Sequence, residues 1–167
     1  MTNEFIDQEY YNTIAPSYNE LHGEEQLKKL SQIEPYLNSK SILDVGCGTG
    51  IASPKDAVGL DPSYELLKQN PNEFKVGYAE DLPFEDKSFD IITCLTAIHH
   101  CHIDKSLAEM ERVAKKKIII SVLKKAKNFD EIIDKIKSKF KVNKIILEEK
   151  DIILIANVNN VNVDQYQ

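Results

Sequence analysis

The chain has 167 residues, 42% hydrophobic, 29% charged and 8% aromatic, which suits one domain with a core that needs no disulfide or metal staple and excludes two full domains. Its longest apolar runs span only a few residues, too short to cross a bilayer, and residues 1–7 have neither the basic nor the apolar region of a secretory leader. The net charge of −6 is unevenly spread: residues 1–104 carry 7 lysines against 18 carboxylates, residues 105–167 carry 14 basic side chains against 9.

In chain order, the first pattern is a helix over Glu24–Glu34, with Leu27, Leu30 and Ile33 near one face and Pro35 at its end. Ser41–Val45, apolar and closed by glycines, predicts a first strand. Ala57–Leu60 predicts a second, stopped by Asp61-Pro62, after which Ser63 caps a short helix carrying Leu66 and Leu67. Phe74–Gly77 reads as an edge-like strand. Phe89–Leu95 is almost continuously apolar, as a strand covered on both faces must be. Asp104 precedes a helix with Leu107, Met110 and Val113 at helical spacing, and Lys117–Val122 follows as a fifth strand. Phe129, Ile132, Ile133, Ile136 and Phe140 make an amphipathic stripe. Val142–Glu148 and Asp151–Ala156 are β-rich, and a turn at Glu149-Lys150 predicts an antiparallel hairpin on an otherwise parallel sheet. Such alternation is the pattern of a layered α/β fold with right-handed crossovers.

The informative stretch is Asp44-Val45-Gly46-Cys47-Gly48-Thr49-Gly50, directly after the first strand. Alternate glycines allow a tight turn and a close approach of backbone to ligand, and in a doubly wound sheet the loop lies where ligands bind. The spacing departs from the dinucleotide Gly-x-Gly-x-x-Gly pattern, and the loop lacks the lysine ending of a nucleotide-triphosphate loop. Asp44 makes the crevice less hospitable to a pyrophosphate and suits a cationic amine. Asp61, ending the second strand, can accept both hydrogen bonds of a ribose diol or can cap the following turn. Asp81 can accept from an exocyclic amine while Leu82 packs on a purine. Ribose, adenine and a cationic amino-acid end together describe S-adenosyl-L-methionine.

The chain resembles the class I S-adenosylmethionine-dependent methyltransferases, of the small methyltransferase domain 11 type. The likeness runs through Ile42–Gly50, Val58–Ser63 and Ala79–Asp90. It implies a doubly wound, Rossmann-like three-layer α/β sandwich, with a seven-stranded, mostly parallel sheet and an antiparallel terminal strand. Residues 1–156 would form the domain, residues 1–40 its N-terminal cover, and residues 157–167 a strand extension or a frayed tail. The resemblance sets Asp44, Gly46 and Gly48 along the methionine end, with Cys47 a small side chain that the loop accepts. Asp61 with Pro62 takes the ribose, and Glu80, Asp81 and Leu82 lie at the adenine. Leu95 and Thr96 line the crevice, and Tyr11 or Tyr18 closes over the cofactor. Two departures stand out: the ten residues between Gly50 and Asp61 leave room for about two turns of short or irregular helix, and no Gly-rich turn follows Arg112-Val113-Ala114.

His99, His100, Cys101 and His102 fall where an acceptor would approach. His100 is the candidate general base, and a structural histidine is the alternative. No metal site is expected there, because neighbouring side chains fan outward. The single arginine, Arg112, argues against bidentate phosphate recognition. The expected activity is methyl transfer to an oxygen, nitrogen or carbon of a small molecule. A tRNA or protein substrate, or a non-catalytic binding protein that kept the fold, are the alternatives. Three scattered cysteines, Cys47, Cys94 and Cys101, point to a reducing compartment and so to a cytoplasmic location.

Overall fold

The computed structural model describes residues 3–158, and their side chains from Gln8 onward. Seven strands form one sheet: β1 (Ile42–Val45), β2 (Val58–Asp61), β3 (Phe74–Val76), β4 (Phe89–Leu95), β5 (Ala114–Leu123), β6 (Lys141–Leu147) and β7 (Asp151–Asn157). Their order is β3-β2-β1-β4-β5-β7-β6. The strands from β3 across to β5 are parallel, whereas β7 runs antiparallel to both β5 and β6. The expected hairpin therefore inserts its second strand into the sheet and leaves its first at the edge. Strand order reverses between β1 and β4, which opens a crevice beyond their carboxyl ends. The last strand reaches Asn157, and the tail from residue 159 lies outside the described residues.

The strands sit where apolar runs require them, and alternate side chains face opposite layers. Ile118 and Ile120 of β5 join the larger core with α4 (Ile103–Val113) and α5 (Phe129–Lys139), which contribute Leu107, Met110, Ile132 and Ile136. Ile119 points the other way, into a smaller cluster with Ile42, Ile91, Ile153, Ile155 and Ile33 of α2 (Tyr18–Ile33). Ser63 caps α3 (Tyr64–Leu67) as expected, its Oγ accepting from the Leu66 N–H at 3.3 Å. Among the described residues, no helix is long and apolar enough to cross a membrane.

Three elements differ from expectation. An N-terminal helix, α1 (Asn3–Ile14), precedes α2, and its sequence has no clear apolar stripe to announce it. The second helix starts at Tyr18 and passes Gly23, where an added Cβ would meet the Ile51 side chain at 3.1 Å. Its buried face is Gly23, Gln26, Lys29 and Ile33, while Leu27 is 52% exposed. Between Gly50 and β2 there is no helix, only turns closed by Ser53 N–H to Gly50 O and Ala57 N–H to Pro54 O, both 3.1 Å.

The polar inward face of α2 is explained by Lys29. Its ammonium is fully buried, 2.9 Å from the equally buried carboxylate of Asp151 at the start of β7. It also lies 3.1 Å from Glu25 and donates to Thr96 Oγ1 at 2.8 Å. Thr96 Oγ1 in turn donates to Asp151 Oδ2 at 2.6 Å, and the Thr96 N–H donates to Ser121 Oγ at 2.7 Å. Removing one member of such a buried pair strands the other, at a cost of about 3–5 kcal/mol. Asp151→Ala should therefore lower unfolding stability in urea by about that amount. The combined Lys29→Met, Asp151→Leu variant should recover most of it; a single variant as stable as the parent would show the pair to be incidental.

Candidate functional site

The glycine loop begins where β1 ends. Gly46 and Gly48 hold φ of 73° and 53°, a region that side chains rarely enter. At Gly46 a Cβ would also stand 2.5 Å from that of Ala97. The N–H groups of Gly46 and Cys47 both donate to the Leu60 carbonyl, at 2.7 and 3.1 Å, so the loop is stitched to β2. Asp61, at the end of β2, accepts from the Gly48 N–H at 3.0 Å on one carboxylate oxygen and from the Ser63 N–H at 2.8 Å on the other. Burial raises its carboxyl above the usual range, and these two N–H groups pull it back.

Gly46, Gly48, Asp61 and Pro62 line a cavity in the crevice. Leu95 and Thr96 line it from the end of β4, Glu80 from beyond β3, and Tyr11 and Tyr18 from the N-terminal helices. His100 completes that wall from a 3₁₀ turn, Ile98–His100. Its Nε2 lies 3.0 Å from the Tyr11 hydroxyl, with the rings at 85°. The Tyr18 phenol is pushed up to about 12, chiefly by burial and then by the carboxylates of Asp61, Glu25 and Asp44.

Four expected residues do not line the cavity. Asp44 is buried behind the loop, its oxygens accepting from Ser53 Oγ and, at 2.7 Å, from Thr93 Oγ1. The Cys47 thiol turns to the Asn70 amide, and burial pushes its pKa up. Leu82 belongs to the main core, while Asp81 is exposed. Arg112 fixes that segment by donating to the carbonyls of Leu82 and Phe84 at 3.0 and 2.8 Å, which leaves Glu80 at the cavity.

Sequence reasoning missed the polar face of α1. Gln8 donates to Pro62 O at 3.0 Å and accepts from the Tyr78 hydroxyl at 3.2 Å, and Asn12 accepts from Ser63 Oγ. Gln8, Tyr11 and Asn12 stand three and four apart, a spacing that would have revealed the face had polar as well as apolar periodicity been sought. In the histidine cluster, His102 caps α4 and its N–H donates to Glu80 at 2.7 Å. Among the described residues, no three His, Cys, Asp or Glu side chains are grouped to hold a metal ion.

Residues 43–122 match the family model described as a methyltransferase domain. The chain is 37% identical over 117 residues to the uncharacterized protein MJ1252 of Methanocaldococcus jannaschii, covering 64% of this chain and 47% of that one. It is 36% identical over 91 residues to the uncharacterized methyltransferase YcgJ of Bacillus subtilis, covering 44% and 36%. The chain thus spans less than half the length of these relatives. The fold matches the crystal structure of magnesium protoporphyrin IX methyltransferase from Synechocystis with bound SAM, at a TM-score of 0.74 and 15% identity, over 95% of this chain and 98% of that one.

The burial of Asp44 has a consequence for stability. Its carboxyl is raised to about 6 by desolvation, against the hydrogen bonds from Ser53 and Thr93. With the folded pKa above the unfolded one, the folded state binds more protons between them, so stability falls as pH rises from about 4 to 6 and is flat beyond. Asp44→Asn should remove this component. The stability difference between variant and parent in urea should shift toward the variant by on the order of 2 kcal/mol over that range. A pH-independent difference would show that Asp44 stays ionised throughout.

Proposed function

We propose that this chain, which belongs to the methyltransferase-domain family through residues 43–122, binds S-adenosyl-L-methionine in the crevice cavity and transfers its methyl group to an oxygen, nitrogen or carbon nucleophile of a small molecule. The observation that carries the reading is the placement of Asp61, a buried carboxylate at a strand end, facing the cavity and held by the glycine loop itself. Each of its oxygens is fixed by one backbone N–H and has acceptor capacity left for one hydroxyl of a ribose diol. A solved neighbour of the same fold that holds this cofactor supports the reading.

When bound, the cofactor supplies a methyl group already activated on a sulfonium. The chain's own residues then have three tasks: to orient, to exclude water and to take up a proton. Gly46 and Gly48 let the loop backbone lie flat against the methionine end, with the Asp44 carboxyl behind it. Tyr11 and Tyr18 close the cavity from the N-terminal side, Leu95 and Thr96 form its floor, and Glu80 with Pro62 bounds the adenosine end. His100, oriented by the Tyr11 hydroxyl, is the base for an acceptor that must lose a proton.

Calorimetric titration should show one-to-one binding of S-adenosyl-L-methionine and S-adenosylhomocysteine and none of NADH. Asp61→Ala should weaken adenosyl-ligand binding by about 100-fold or more, the loss of two charge-assisted hydrogen bonds; unchanged binding would remove the ribose assignment. His100→Ala should slow turnover by about 100-fold while cofactor affinity stays within about threefold. Full activity in that variant would leave His100 a scaffold residue.

A further inference from the structure

Thr96, the first residue beyond β4, holds a φ of 54°. Among the described residues the other non-glycine positions with positive φ are Asp56 and Lys87, both exposed and in turns. Thr96 is β-branched and half-buried, so its left-handed backbone carries a steric cost that glycine escapes. Contacts from three elements hold it there. Its Oγ1 accepts from Lys29 of α2 at 2.8 Å and donates to Asp151 of β7 at 2.6 Å, while its N–H donates to Ser121 Oγ of β5 at 2.7 Å.

This assembly is not arranged for stability alone. Lys29 and Asp151 are both fully buried, a pairing whose attraction does little more than offset the desolvation of its charges. Asp151 turns the same oxygen, Oδ2, to Lys29 and to Thr96, and among the described residues its buried Oδ1 has no hydrogen-bond partner. A strained threonine, a desolvated ion pair and an orphaned carboxylate oxygen thus meet at one point. Such costs persist where the surroundings over-determine a geometry that function needs. Here that geometry is the path of the chain into the cavity. The turn at Thr96 sets Ala97 against the glycine loop, so close that a Cβ on Gly46 would stand 2.5 Å from that of Ala97. The Ala97 carbonyl accepts from the His100 N–H at 3.0 Å, and His100 then meets the Tyr11 hydroxyl on the cavity wall.

Resting on the methyl-transfer reading, we infer that Lys29 and Asp151 are positioning residues for the cofactor site. They act through Thr96, whose backbone they clamp in the left-handed region, and so press the segment from Ala97 to His100 against the glycine loop. Neither is among the described residues that line the cavity. Without the clamp the threonine relaxes to negative φ and the segment leaves Gly46. Only the fraction of molecules still in the strained turn then presents a complete cavity, and apparent affinity falls by that fraction. For the strain of one left-handed residue other than glycine, the fall is roughly tenfold.

The test is calorimetry of S-adenosylhomocysteine binding to the full chain and its variants, with folding checked by urea unfolding. Thr96→Ala keeps the crowded Cβ and loses the hydroxyl that the clamp grips, so it should bind about tenfold more weakly than the parent. Thr96→Gly loses the same hydroxyl but enters positive φ freely. It should bind at least about fivefold tighter than Thr96→Ala, although glycine is the more flexible replacement. The combined Lys29→Met, Asp151→Leu variant removes the clamp without stranding a charge and should also lose about tenfold. Adding Thr96→Gly to that pair should recover most of the loss, which a purely structural contact would not allow. Parental affinity in the folded Lys29→Met, Asp151→Leu variant, no recovery on adding Thr96→Gly, or a Thr96→Gly that binds no better than Thr96→Ala would each overturn the inference. The alanine–glycine comparison decides by itself where the combined variant does not fold. Failure of the parent chain to bind S-adenosylhomocysteine would instead remove the methyl-transfer reading on which the inference rests.

Discussion

The buried contact between Lys29 and Asp151 ties the cover of this fold to its floor. One partner belongs to α2, which lies across the thinner face of the sheet, and the other begins β7, the reversed strand. Thr96, just past the end of β4, sits between them at a φ of 54° and shares its hydroxyl with both. Apolar packing on this face is limited to a small cluster, so helix α2 is positioned largely by charge and hydrogen bonding. Apolar contacts tolerate sliding, but a buried ammonium that must keep three oxygen partners does not. The arrangement fixes the entrance to the cavity, because Tyr18 at the start of the same helix lines it, and Tyr11 precedes it by seven residues.

This also marks the boundary of what the sequence reveals. Strands β1, β4 and β5 are legible because each is an apolar run that only a doubly covered strand explains. The glycine loop and Asp61 are legible because their conformational and chemical requirements are local. Helix α1 and the inward face of α2 are not. Periodicity detects a helix by apolar residues, and here the inward positions include Gln8, Asn12 and Lys29, whose partners Pro62, Ser63 and Asp151 lie far along the chain. Leu27 fits the expected stripe and nevertheless points to solvent, because the demand of Lys29 for Asp151 sets the rotation of the helix. The same logic separates Glu80 from Asp81: composition cannot choose between adjacent carboxylates, and Arg112, some thirty residues away, orients the segment.

The loop itself is held without the helix that such a fold leads one to expect after Gly50. Turns over residues 51–57 replace it, and two side chains take up its work of shaping the backbone. Ser53 reaches back to the Asp44 carboxylate, closing the turn onto β1. Asn70, buried beyond α3, directs its amide toward the Gly48 carbonyl and the Cys47 sulfur, both at 3.4 Å, while its oxygen accepts from the Asn72 N–H at 2.9 Å. A Cβ on Gly50 would stand 2.4 Å from that oxygen, so the third glycine is required by the space Asn70 occupies as well as by its own φ of 78°. A helix after the loop would add the positive end of its dipole beside the ligand. Its absence leaves Asp44 and Asp61, the carboxylates beside the loop, unopposed by any such partial charge.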